Sequence, residues 1–235
     1  MDGFEGYVGI RVGEGQLIND LIFSLLFALF LVFALVFHAN YHLFLKMIRD
    51  VFYVKERLSL FEEIDGNETI FRGFMIFQSL LLCSIALFLI GCLYNYIPDS
   101  SNIGTNLFFI GAIWVVLLLF YTFKQFFYNL IGMIFTDPNL YKIWRTGYTA
   151  SVGVWGVLLY IPVLCLAFVK VYLYVYVLLF AFIYILWRFI IIHKTINIFN
   201  ITGIGFLYII LYLCAQEILP LIFLYKGIIY LYNFY

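Results

Sequence analysis

The sequence predicts an all-α, polytopic membrane helix bundle with six transmembrane helices, and three observations lead there. Of the 235 residues, 66% are hydrophobic and 22% aromatic, while only 11% are charged; a soluble domain carries roughly a quarter charged residues. The apolar residues come in blocks longer than the ~18 that mark a membrane-spanning helix. Within the blocks they do not alternate as strand residues would, and an open sheet cannot satisfy its backbone in lipid. Residues 1–20 read as a short extracytoplasmic leader and 21–235 as one membrane domain, which includes an amphipathic cytoplasmic connection over 46–70.

Polar punctuation bounds each span. The first runs from about Leu21 to Leu45, the second from about Phe71 to Tyr96, where "IPDSSN" stops it. The third starts near Thr105 and runs to about Phe135, ended by "TDPN". The fourth, about Gly147 to Phe168, turns almost at once into the fifth, about Val171 to Ile192, and after "HKTINIFN" the sixth runs from Ile201 to about Tyr230. The leader carries Asp2, Glu5, Glu14 and Asp20 against Arg11, the reverse of a basic signal-peptide start, so the first span reads as a membrane helix. Cys83, Cys92, Cys165 and Cys214 lie inside apolar blocks without a CxxC pair, as buried thiols do.

Basic residues orient the bundle. Lys46, Arg49, Lys55, Arg57, Arg72, Lys124, Lys142, Arg145, Arg188 and Lys194 fall on one side, against Arg11, Lys170 and Lys226 on the other. Positive charge favours the cytoplasmic side, so both termini are expected outside the cytoplasm, in a bacterial inner membrane. Tyrosines in "YNYIP", "VYLYVYV" and "IYLYNFY" then form an interfacial aromatic belt. In the connection, Met47, Ile48, Val51, Phe52, Val54 and Leu58 recur near helical spacing among charges, and "SLFE" at Ser59 has the form of a capping box. That stripe is expected to lie on lipid, with docking of a cytosolic partner as the other use. "NIGTNLFFIG" and "NITGIGFLYI" echo each other too briefly to establish an inverted repeat.

The candidate intramembrane polar site is Glu217 with Gln216 and Pro220, joined by Lys124 and His38. An acid at the centre of a span costs about 2.5–3.5 kcal/mol on insertion scales, so Glu217 should face protein or water. Pro220 lacks an N–H, which frees the Gln216 carbonyl and kinks the sixth span beside the acid. Glu217 then either fixes packing between helices or carries a proton or ion. His38 and His42 share a helical face, where they read as interfacial polar groups; His38 is also a candidate partner for Glu217. Lys124 with Gln125, and Arg188, sit toward helix ends and either snorkel outward or face inward, with "KQFFYNLIG" favouring the inward choice for Lys124. Gly147, Ser151, Gly153 and Gly156 form a close-packing surface, a possible interface for a neighbouring helix or a second copy.

No phosphate loop, HExxH, GxSxG, or haem or quinone ligand pair is found, and no metal, cofactor or nucleic-acid partner is expected. The expected partners are the lipid bilayer and either other membrane proteins or further copies of the chain. The last span, "LYLCAQEILPLIFLYK", with "RDVFYVKERLSLFEE" and "FKQFFYNLIGMIF", resembles a family of multi-pass inner-membrane proteins of the Bacteroidota. The resemblance rests on Cys214, Glu217, Pro220 and Lys226, with Lys124 and Gly132 contributing less. It implies a membrane location and a role for that motif, but no reaction. Small loops and the missing catalytic constellation point to a non-enzymatic subunit of a cell-envelope assembly (secretion, motility or lipid handling). The alternative is a small ion- or proton-coupled transporter or channel using Glu217, and an intramembrane lipid enzyme comes third.

Overall fold

The structure is a computed structural model that describes residues 13–52, 66–94, 96–97, 103–135, 138–169, 173–201 and 226. Over these residues the chain forms α1 (Gly13–Ala39), α2 (Tyr41–Phe52), α3 (Gly66–Leu93), α4 (Ile103–Phe135), α5 (Pro138–Leu158), α6 (Tyr160–Phe168) and α7 (Leu173–Ile201). Five stretches among them are long and apolar enough to cross a bilayer: Asn19–Ala39, Gly66–Leu93, Ile103–Leu130, Trp144–Phe168 and Leu173–Ile196. Of the sixth predicted span, only Ile201, closing α7, and Lys226 are described. Gln216, Glu217, Pro220 and Cys214 therefore lie outside the described residues.

Three boundaries differ from those read off hydropathy, each for a local reason. The first span ends at Ala39 rather than Leu45, because Asn40 turns the chain. Its N–H reaches the carbonyls of Val36 at 3.0 Å and Phe37 at 3.2 Å, and its side-chain amide donates to Val36 at 3.2 Å. Its own carbonyl accepts from Leu43 at 2.9 Å, so the residue that closes α1 also opens α2. The fourth span bends between α5 and α6. Pro162 has no N–H for the Leu158 carbonyl, while the flanking bonds Leu159 to Trp155 (3.0 Å) and Val163 to Leu159 (3.1 Å) persist. The result is a kinked helix rather than two separate ones. The fifth span continues through "HKTINIFN", which was expected to be a loop. No glycine or proline interrupts 173–201, and Thr195 returns its hydroxyl to the Ile191 carbonyl at 2.8 Å within the same helix.

α5 and α6 form the centre. Their span is 61% buried, against 11% for the spans of α1 and α4 and 6% for α7, which leaves those three facing outward. Exposed Leu178, Phe182, Ile185 and Phe189 along α7 and Leu119, Phe123 and Phe126 along α4 give these helices apolar outer faces suited to lipid. Around the centre, α3, α2 and α7 pack on α5, and α7, α3 and α1 pack on α6. Two residues of the predicted stripe, Met47 and Val51, are buried with Phe71, Met75 and Ala150 rather than left to lipid, while Val54 and Leu58 lie outside the described residues.

Glycines set the close approach of α3 and α5. A Cβ on Gly156 would lie 2.9 Å from the Ser79 Cα, and one on Gly153 would lie 3.0 Å from the Met75 Cβ. Backbone cannot give way as a flexible side chain does, so Gly156→Ala must push the helices apart, a strain of about 1–3 kcal/mol. Thermal unfolding in detergent should therefore show a lowered midpoint for Gly156→Ala. Gly111→Ala, where nothing lies within 4 Å, should match or slightly exceed the wild type. Equal midpoints for the two variants would contradict the close packing.

Candidate functional site

Two i,i+4 pairs start the site. Helical spacing puts Lys46 and Asp50 on one face of α2, and Glu68 and Arg72 on one face of α3. The pairs meet across the helices. Lys46 Nζ donates to Glu68 Oε2 at 2.9 Å, and Arg72 Nη2 reaches Asp50 Oδ2 at 2.6 Å and Glu68 Oε1 at 2.7 Å. Arg72 Nε adds a 3.0 Å bond to Glu68 Oε1. Its Nη1 donates to the Thr146 carbonyl of α5 at 2.8 Å, with Thr149 Oγ1 at 3.5 Å. All three guanidinium nitrogens are thus engaged, as a buried arginine requires. Glu68 is 4% exposed and Arg72 7%.

From α7, Lys194 enters the same cluster and donates to the backbone carbonyl of Asp50. It does so by crossing α5 at Gly147, where a Cβ would collide with the lysine's terminal carbon and nitrogen. Gly147 is therefore the opening through which α7 contributes a cation.

A second cation is buried on the other side of α5. Lys124, 5% exposed on α4, places Nζ 5.4 Å from the Tyr128 ring centre and 5.9 Å from that of Tyr148. Ring faces are electron-rich, and such contacts contribute about 0.5–2 kcal/mol each. Trp144 braces the cage, 4.6 Å from Tyr128 and stacked on Tyr148 at 5.3 Å. Its indole N–H donates to Thr195 Oγ1 at 3.1 Å. Tyr141, below the span, donates to Asn129 Oδ1; burial pushes its phenol up, opposed by the positive charge of Arg145. Successive residues of α7, Lys194 and Thr195, so meet α5 at Gly147 and at Trp144.

The sequence-predicted residues fall as follows. Lys124 is buried in the aromatic cage, whereas His38 is exposed at the end of α1 and His42 is exposed on α2. Neither histidine belongs to the two clusters described above. Arg188 donates to the Tyr184 hydroxyl at 2.9 Å and lies 5.0 Å from the Trp187 ring centre. The four small residues of α5 do not make one surface: Gly147 and Ser151 share one face, Gly153 and Gly156 another. Gly147 meets Lys194 of α7, while Gly153 and Gly156 meet α3, with Met47 of α2 also against Gly153. Ser151 is 2% exposed, and its hydroxyl has no hydrogen-bond partner among the described residues.

Sequence reasoning missed the ionic cluster, having read Lys46, Arg72 and Lys194 as orientation charges. The signal was present in "KMIRD" and "ETIFR", each with opposite charges four apart. No group of three metal-binding side chains occurs among the described residues.

Chemically, the cluster is a closed clamp on α2, α3 and α5 around Arg72. Removing one member of a buried ion pair strands the other, a loss of about 3–5 kcal/mol. Arg72→Met should therefore sharply lower the unfolding midpoint. Lys46→Met, whose side chain is 30% exposed, should shift it far less, by about 1 kcal/mol or under. Comparable losses for both would show that Arg72 is not the centre of the clamp.

Residues 22–228 match the family described as "Domain of unknown function (DUF4271)". The match is consistent with the resemblance to a multi-pass membrane family. No curated protein and no solved structure matches the chain. The chain belongs to the DUF4271 family.

Proposed function

We propose that this DUF4271 protein is a non-enzymatic subunit of a cell-envelope assembly, held in the bacterial inner membrane with both termini outside the cytoplasm. The observation that carries this reading is how the buried charge is used. Arg72, Glu68, Asp50 and Lys46 pair with one another, and Lys124 faces aromatic rings. Side chains so engaged hold helices in place; they are not poised as an acid, a base or a nucleophile. The outer faces of α4 and α7, apolar along their length, remain for lipid or for helices of other membrane proteins. Secretion, motility and lipid handling are the assemblies in which such a subunit fits.

One observation favours a transport reading as runner-up. Lys124 and Lys194 are buried inside candidate spans, and intramembrane ionisable groups commonly mark ion or proton routes. Glu217 is the acid such a route would use.

Gentle purification from native membranes separates the two. A subunit should emerge with the same membrane proteins in constant stoichiometry through two unrelated separations, and Glu217→Gln should leave that set intact. A lone, homogeneous protein that supports proton or ion flux in vesicles, with flux lost in Glu217→Gln, would replace the assembly reading by the transporter.

A further inference from the structure

We propose that α7 is a latched arm, tethered to α6 at one end and released at the other, where it is latched to α2 and α5. This goes beyond the subunit reading and does not rest on it. The tether is short: α6 ends at Phe168, Val169 leaves the helix in an extended conformation, and α7 begins at Leu173. α6 itself sits in the core, with Tyr160, Val163 and Ala167 buried among residues of α1, α3 and α4. The span of α7 is 6% buried, the least of the five, so it is the helix that moves with the least loss of packing. The latch is polar and lies at the far end. Lys194 passes Gly147 to bond the Asp50 carbonyl, where the Asp50 carboxylate also attracts it, and Trp144 donates to Thr195 Oγ1 at 3.1 Å.

Between latch and tether the seam is badly matched. Gly147, Ser151 and Trp155 follow one another at four-residue intervals, along about 12 Å of one α5 face. Gly147 meets Lys194, and Trp155 stacks on Trp187 at 4.7 Å and 20°, so Ser151 between them faces α7 as well. The Ser151 hydroxyl and the indole N–H groups of Trp155 and Trp187 are closed off by protein, with no hydrogen-bond partner among the described residues. At that level α7 offers Ile190 and Ile191, neither of whose side chains can accept. An enclosed donor without a partner has lost its water and gained nothing, so each of the three raises the energy of the closed seam. The closed arm is therefore held from its latch. Once Lys194 and Thr195 let go, water from the polar end of the bundle reaches Ser151, one turn in from Gly147, and then the two indoles. Weakening the latch moves this equilibrium toward the open arm, and deleting an unpaired donor moves it back.

Double electron–electron resonance on the full chain in nanodiscs, with the native cysteines replaced by alanine, reads both ends of the arm. One spin-label pair spans the latched end, at exposed Lys142 and His193, and a second spans the tether, at exposed Ile161 and Leu178. Thr195→Val removes the acceptor of the Trp144 bond and nearly keeps the side-chain volume. It should enlarge a longer-distance population at the latched end and leave the tether pair unchanged. Ser151→Ala in that background should lower the longer population about fivefold or more, because no hydroxyl is left to gain from hydration. A single latched-end distance in Thr195→Val would overturn the proposal. So would a longer population that Ser151→Ala leaves alone or increases, since the hydroxyl would then be bonded in the closed seam. Equal displacement of both pairs would make α7 a loose helix rather than a hinged arm, and would overturn it too.

Discussion

The guanidinium of Arg72 is the contact on which the rest of this bundle depends. One planar group reaches Asp50 on α2, Glu68 on its own helix and the Thr146 carbonyl on α5. Lysine could not replace it, because a single ammonium cannot present a fork of donors to three acceptors in fixed directions. Burying such a charge is unfavourable in itself, and the low dielectric that makes it so also strengthens each bond it forms. Because Asp50 is held, the backbone of α2 is held, and its carbonyl is available to Lys194. The apolar docking of Met47 and Val51 follows from the same placement.

α5 can occupy the centre only because its faces are built for different neighbours. Gly153 and Gly156 admit the backbone of α3, while Gly147 admits a long side chain from α7. Tyr148, with Trp144 stacked on it, turns toward α4 and receives Lys124. The two sides of one helix thus bury cations in two ways: one against carboxylates with full charge, the other against ring quadrupoles. Rings ask for less desolvation of the partner but return less attraction, which suits a single lysine beside an aromatic core.

Much of this could be read from the chain, but unevenly. Five of the apolar blocks correspond to helices long enough to span, because hydropathy over twenty residues is a property of the segment alone. Pro162 and Asn40 carried local signals for the bends they cause, and a broad hydropathy window passes over both. "HKTINIFN" read as a loop through its polar residues, although polar groups that bond back to their own helix do not end it. Gly147, Ser151, Gly153 and Gly156 were grouped by composition, while helical rotation divides them between neighbours. The cross-pairing of Lys46 with Glu68 and Asp50 with Arg72 is tertiary information. Each helix announced its own charge pair, and nothing local said that the pairs would also join across the helices.

That cross-helix pairing matters more in lipid than it would in water. Between membrane helices the hydrophobic effect supplies little net drive, since acyl chains are as apolar as leucine. The cluster of Ile22, Leu26, Leu82, Ile85, Phe88, Leu159 and Val163 therefore stabilises chiefly through close packing, which tolerates sliding and rotation. Directional contacts at one end remove that freedom. With Arg72, Glu68 and Asp50 engaged, α2, α3 and α5 have one register; Lys194 and the Trp144–Thr195 bond then add α7 at Gly147 and Trp144 of α5. The polar end thus specifies which of many equally greasy arrangements the bundle adopts.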